Sequence, residues 1–173
     1  RPSVYLPQPD IRIHVFIEKK HLMLYLDTSG EPLYKRYGRP GHHEAPLKEN
    51  LAAGLIQLSG WHPELPFIDP MCGSGTFLIE AAQRALNIAP GLQRHFAFER
   101  CFFYDNALWH AIREKAQQAR LPNQPLKILG TDRYGDVLKI ARLNLEAAGL
   151  SDNVLLKQVN ILEFKPPFKT GTV

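Results

Sequence analysis

The chain has 173 residues, 45% hydrophobic and 22% charged, enough for one domain with a real core. A formal charge of +4 and a pI of about 9.1 permit a nucleic-acid partner without requiring one. No apolar run approaches the ~18–20 residues of a membrane span, and no secretory signal pattern is seen. The two cysteines, Cys72 and Cys101, form no C-x-x-C pair, which argues against a disulfide framework or a zinc site and fits a reducing cytoplasm.

Residues 1–10 carry Pro2, Pro7 and Pro9 and read as an extended linker. Ile11, Ile13, Val15 and Ile17 alternate with polar and aromatic neighbours, as in a strand with one buried face. Lys19-Lys20 is a turn, and residues 21–27 form a second strand, completing a hairpin. Residues 28–32 turn again, and residues 33–37 read as a third short strand. Residues 34–43 then interleave basic and aromatic side chains. Lys35, Arg36 and Arg39, with Tyr34 and Tyr37, are candidates to grip phosphates and stack on bases. A solvated charged connection is the competing reading. His42-His43 lacks further ligands at metal spacing beyond Glu44, so no metal site is expected.

Ala45-Pro46 opens a predicted helix in which Leu47, Leu51, Leu55 and Leu58 recur at helical spacing, and Gly60 ends it. Leu65, Phe67 and Ile68 suit a buried strand with Asp69 at its carboxyl end. Gly73 and Gly75 then allow a sharp turn into a helix over residues 76–87, with Phe77, Leu78, Ala81, Ala82 and Ala85 apolar. The unpaired N–H groups at such a helix start can face an anionic group.

Residues 92–125 look like an insertion. Residues 95–99 are a short strand or a packed aromatic loop. Residues 105–119 are a helix capped by Asp105 or Asn106, with Leu108, Trp109 and Ile112 inward. Residues 127–132 are a core strand ending in Asp132. Residues 136–148 are a helix ended by Gly149, and residues 154–160 are a third core strand. Residues 170–173 resemble the start of a fourth. The alternation predicts an α/β fold with a parallel sheet and right-handed crossovers.

The turn after Asp69, Asp132 and Asn160 then share the carboxyl edge of the sheet, where open α/β sheets bind ligands. The ligand needs an ionic head at the glycine turn, a sugar diol for Asp132 and a base edge for Asn160. S-adenosylmethionine has all three parts. The NAD fingerprint fails because Leu78 stands at its third glycine. There is no G-x-x-x-x-G-K-[ST], and Cys72 and Thr76 break the G-x-S-x-G elbow around Ser74. Cys72 is conceivable as a nucleophile, but its place inside the turn favours packing or a backbone contact.

Asp69-Pro70-Met71-Cys72-Gly73-Ser74-Gly75-Thr76, followed by Phe77-Leu78-Ile79-Glu80-Ala81-Ala82, resembles motif I of the class I S-adenosylmethionine-dependent methyltransferases. Together with residues 26–30, 33–36, 45–53, 89–92 and 130–132, it resembles the THUMP-domain-containing guanine-N2 methyltransferases of large-subunit ribosomal RNA, some of which carry the description N6-adenine DNA methylase. The resemblance covers residues 20–173. It implies a partial Rossmann-like class I methyltransferase sheet, preceded by a short β-hairpin linker region. Residues 1–44 would be the linker and hairpin at the end of a THUMP-type region, and residues 45–173 the cofactor-binding half of the catalytic domain.

By matching position, Asp69, Pro70, Met71, Cys72, Gly73, Ser74 and Gly75 would form the cofactor turn, and Asp132 would hold the ribose. Arg133 would lie beside the adenine, Asn160 would meet its amino group, and Asn50 would approach the methionine end. The family's catalytic Asn-Pro-Pro-Tyr would start beyond Val173. No catalytic residue is therefore expected within these 173, and the chain alone is expected to transfer no methyl group. The implied partner is ribosomal RNA, with no membrane and no metal. A noncatalytic RNA-binding module and an adenine-N6 methyltransferase are the alternatives.

Overall fold

The computed structural model describes residues 9–38, 40 and 47–168. β1 (Ile13–Glu18) and β2 (His21–Leu26) form an antiparallel hairpin, pairing Ile13 with Leu26 and Ile17 with Leu22. Lys19 takes φ +53° at the turn. The expected buried face is not found. Ile13, Val15, Ile17, Leu22, Leu24 and Leu26 share one face and are 40–68% exposed. A two-stranded ribbon has no second layer of its own to cover it. At its base the Asp27 carboxylate accepts from the N–H groups of Ser29 and Gly30 at 2.9 and 3.0 Å, and these bonds, led by that of Gly30, hold its pKa below the usual range.

Residues 33–37 are not a strand. The segment is held from the side: the Arg94 guanidinium donates to the carbonyls of Ser29, Glu31, Pro32 and Lys35 at 3.2, 2.5, 3.1 and 3.4 Å. The chain turns instead, with Lys35 N–H bonded to the Pro32 carbonyl at 3.0 Å.

Helix α1 spans Glu49–Leu58, so its predicted start at Ala45-Pro46 lies outside the described residues. It buries Glu49, Ala52 and Ile56, while Leu51, Leu55 and Leu58 stay exposed. The leucine stripe is therefore not the face that packs on the core. β3 (Phe67–Asp69) is short, and Leu65 precedes it half-exposed. α2 (Thr76–Ala85) follows and is buried almost all round, with Leu78, Ile79, Ala81 and Ala82 fully covered.

The insertion folds as a packed aromatic loop ending in a 3-10 turn, Ala97–Arg100, followed by α3 (Asn106–Gln118). The Asp105 carboxylate caps α3 by accepting from Leu108 N–H at 2.9 Å. Trp109 meets Phe96 and Phe98 edge-on, with centroids 5.6 and 5.0 Å apart. Leu108 and Ile112 face solvent instead of the core, because the aromatic loop meets only one side of α3.

β4 (Ile128–Asp132), α4 (Gly135–Ala147) and β5 (Val154–Gln158) complete the described sheet. The strands are parallel in the order β3-β4-β5, with β4 central and its first four residues buried. Leu78, Leu86, Ile128, Leu145 and Leu150 form the heart of the core. A Cβ at Gly130 would run into Leu78 Cδ1 and come within 3.2 Å of Cys72 Sγ, so only glycine lets α2 and the turn after β3 settle on the sheet. Residues 170–173, read as the start of a fourth strand, lie outside the described residues.

Candidate cofactor site

β3 ends at Asp69, and its pleat delivers the chain to a turn instead of another strand residue. Gly73 and Gly75 both take left-handed φ, +53° and +82°. That conformation costs glycine little and side-chain-bearing residues more. A Cβ at Gly73 would meet nothing within 4 Å, so this part of the backbone lies bare toward open space. Gly75 is the N-cap of α2, and there a Cβ would press to 3.4 Å from Ala141 Cβ.

Neighbouring elements pin the turn residue by residue. Thr131 Oγ1 donates to the Pro70 carbonyl at 3.0 Å, and Cys72 N–H donates to the Thr131 carbonyl at 2.9 Å. Gly73 N–H donates to Asp132 Oδ2 at 3.1 Å. Asn144 Nδ2, fully buried on α4, donates to the Ser74 carbonyl at 3.1 Å. The turn is thus preformed, held by β4 and α4 as much as by its own glycines.

A cleft of about 1050 Å³ opens beside it. Asp69, Pro70, Met71, Cys72, Gly73 and Ser74 line it from β3, Asp132 and Arg133 from β4, and Asn160 from the end of β5. Gly75 stands behind this wall at the helix start. The three strand ends therefore meet at one place. Asn50 does not join them: it is exposed on α1, and Leu47 reaches the cleft from that side. The sequence reading missed Leu47, Phe77, Tyr134, Val137, Ile161 and Leu162, the apolar walls of the cleft. Apolar residues near element ends look the same as core in a sequence. Thr131 and Asn144 were also missed. Asn144 did leave a signal, because it interrupts the apolar side of its helix between Ala141 and Leu145.

Two carboxylates dominate the electrostatics. Burial, with the nearby Asp132 charge adding to it, pushes the Asp69 pKa up against the hydrogen bond that it accepts from Met71 N–H at 3.2 Å. A half-buried like-charged pair of this kind favours a cationic ligand. The same burial and the same two carboxylates push the Cys72 thiol up to about 12. Its nucleophilic form is suppressed, which leaves the packing role. Asp132 Oδ1 accepts from Tyr134 N–H at 3.1 Å, so each of its oxygens holds one backbone bond and keeps capacity for a hydroxyl. Asn160 Oδ1 accepts from Leu162 N–H at 3.1 Å and likewise keeps a lone pair.

The basic candidates fare differently. Arg36 turns inward and pairs with the buried Glu80 at 2.7 Å, so it is a structural cation and not an exposed phosphate ligand. Lys35 is exposed and pairs with Glu31 at 2.7 Å. Arg39 lies outside the described residues. Among the described residues, no cluster of three metal-ligating side chains occurs, and no helix is long and apolar enough to cross a membrane.

The family described as RMKL-like, methyltransferase domain, matches residues 36–173. The chain belongs to that family. A Synechocystis protein named "Putative RNA methyltransferase slr0064" is 39% identical over 174 residues, spanning 100% of this chain and 45% of that protein. The structure of SMU.472, "a putative methyltransferase complexed with SAH", superposes with a TM-score of 0.85 at 43% identity, over 93% of this chain and 42% of that one. The structure of a "predicted N6-adenine-specific DNA methylase" from Listeria monocytogenes gives 0.85 at 39% identity, over the same shares. TrmN from Thermus thermophilus gives 0.59 at 21% identity, which speaks for the fold alone. The chain spans less than half the length of these relatives. The α/β methyltransferase fold is thus established, and S-adenosylmethionine is the cofactor that goes with this fold and family.

Proposed function

We propose that this chain is the cofactor-binding half of an S-adenosylmethionine-dependent enzyme that methylates RNA, at the exocyclic N2 of a guanine in large-subunit ribosomal RNA. The observation that carries the cofactor assignment is the convergence of the glycine turn, Asp132 and Asn160 on one cleft of about 1050 Å³. The residues fit the group. The bare backbone at Gly73 accommodates the amino-acid head, the Asp69–Asp132 pair offsets positive charge, and Asp132 has acceptor capacity for a diol. Arg133 flanks the adenine, and Asn160 meets its edge. Asn50 is exposed on α1 and is not among the residues that line the cleft, whereas Leu47 is.

The cofactor supplies an electrophilic methyl group when bound. The chain's own part is to hold the donor in one orientation and to keep water away from it. The preformed turn does the first, since its carbonyls and N–H groups are fixed before any ligand arrives. Met71, Tyr134, Ile161 and Leu162 do the second at the rim. Alignment of the acceptor nitrogen with the donor carries the rate, more than proton transfer. The acceptor base would be drawn out of its stack to reach the cleft. Residues beyond this chain would hold it, so the chain alone binds the cofactor and transfers no methyl group. Adenine N6 is the second reading, favoured by the similarity to the Listeria protein and the activity its name assigns to it.

Calorimetry with S-adenosylhomocysteine tests the cofactor assignment. One site is expected, lost in Asp132→Ala; no binding, or equal binding by the variant, overturns it. Methylation by the full-length protein, followed by mass spectrometry of digested RNA and DNA, tests the target. N2-methylguanine from RNA is expected, and N6-methyladenine alone replaces the first reading with the second.

A further inference from the structure

A second cleft, of about 850 Å³, lies between residues 31–38 and the start of α1. Leu47 lines both this cleft and the cofactor cleft, so the two open around a single side chain. The far wall is held in place, because Arg94 clamps four carbonyls of the 29–35 segment. Arg36 is spent on Glu80, and Lys35 on Glu31. Lys48 is not: among the described residues it has no carboxylate at ion-pair distance, and its Nζ stands 5.2 Å from the centroid of the Tyr34 ring. An ammonium with no carboxylate partner among the described residues and a half-buried aromatic face therefore share one spot in the cleft.

That combination has a chemical counterpart. A compact anion suits a lysine ammonium, and a flat π-system suits a tyrosine face. A nucleotide carries both, and the cleft is within the roughly 300–1,000 Å³ usual for a small-ligand site. Leu47 borders both clefts, so a nucleotide seated here lies beside the cofactor cleft. We propose that this second cleft seats one nucleotide of a single-stranded substrate segment, next to the nucleotide that enters the cofactor cleft, with its phosphate on Lys48 and its base against Tyr34. The inference rests on the nucleic-acid reading of the enzyme and deepens it. It puts Lys48 in the place of Arg36, one of the three cations that the sequence offered.

The test is fluorescence anisotropy of the chain with a fluorescein-labelled five-nucleotide RNA and with DNA of the same sequence. Lys48→Ala is expected to weaken binding several-fold at low salt and to lower the slope of log K against log salt by about 0.7, the share of one phosphate on a single strand. Tyr34→Ala is expected to weaken binding about 5- to 150-fold, the range for loss of one stacked base. Lys48→Arg restores the slope. All three variants keep the melting temperature and the S-adenosylhomocysteine affinity of the parent chain. Tighter binding of RNA than DNA, or of DNA than RNA, with the same Lys48 dependence, supports the site and identifies its strand. Wild-type affinity and slope in both alanine variants overturns it, as does failure of the parent chain to bind either strand. Loss of homocysteine-product binding with retained, Lys48-dependent oligonucleotide binding would sink the cofactor reading and leave this one standing.

Discussion

The backbone N–H of Gly73 donates to the carboxylate of Asp132, 3.1 Å away and 59 positions later in the chain. One hydrogen bond thus fastens the turn after β3 to the end of β4, across the edge where the ligand sits. Asp132→Asn removes the charge and leaves only one oxygen to serve Gly73, Tyr134 and the ligand. Hydrogen bonds to a charged group are worth about 1.5–3 kcal/mol. Cofactor-product affinity should therefore fall by roughly 10- to 150-fold by calorimetry.

Asn144 supports the same turn from behind. Its side chain is fully buried on α4 and donates to the Ser74 carbonyl at 3.1 Å. Asn144→Leu is close in size and leaves that carbonyl without this donor. The cost should be about 1–3 kcal/mol in urea unfolding. A purely structural role would leave the cofactor-product Kd of the folded variant unchanged. A rise of at least several-fold is expected, with partial recovery in Asn144→Gln.

Asp69 gives a pH signature. Burial and the Asp132 charge raise its folded pKa above the ordinary carboxylate value. Ionisation therefore opposes folding, and stability falls as pH rises from the unfolded pKa through the folded one. Asp69→Asn keeps an acceptor for Met71 N–H and removes the charge. The free variant should melt higher than the parent at pH 7, with the gain shrinking below the folded pKa and vanishing below the unfolded one. It should also bind the cofactor more weakly at pH 7, where a cationic ligand gains most from the ionised pair. Thermal melts and calorimetry across pH 3–7 check both signs.

Much of this was legible in the sequence, for identifiable reasons. The turn at 73–75 needs φ values that glycine alone adopts easily, so its position is written in residue type. Asp132 and Asn160 fall at strand ends because the β-α-β alternation is strong there. The failures share a cause too. The hairpin and α1 have clear periodicity, yet Val15, Leu24 and Leu51 face solvent, since periodicity marks an apolar face and not what covers it. The strand expected at residues 33–37 is replaced by a turn that Arg94, some sixty positions away, holds through the carbonyls of Pro32 and Lys35, a contact that no local pattern announces.

Arg36 separates a structural cation from a nucleic-acid ligand. Its side chain is mostly covered, and Glu80, its partner at 2.7 Å, is almost wholly buried. Arg36→Ala removes the ion pair of that buried carboxylate, at a cost on the order of 1–3 kcal/mol. Urea unfolding should register that loss. The salt slope of oligonucleotide binding should stay at the parent value, whereas removal of a phosphate contact would lower it.

Cys72, conceivable as a nucleophile from sequence but better placed for packing, should be inert in solution. Its sulfur fills the space left by the missing side chain of Gly130, where a Cβ would stand 3.2 Å from it. Burial first, then the charges of Asp69 and Asp132, push its thiol up to about 12. At pH 8 only about one molecule in ten thousand carries the thiolate, the form that attacks an alkylating agent. Iodoacetamide at that pH should therefore modify Cys72 no faster than the chain unfolds, as read by mass spectrometry of tryptic peptides. Cys72→Ala should cost about 1 kcal/mol through the small cavity and hold the cofactor-product affinity within a few-fold. Rapid labelling of the folded chain, or methyl transfer by the full-length protein that disappears in Cys72→Ala while folding and cofactor binding persist, would return the nucleophile to consideration.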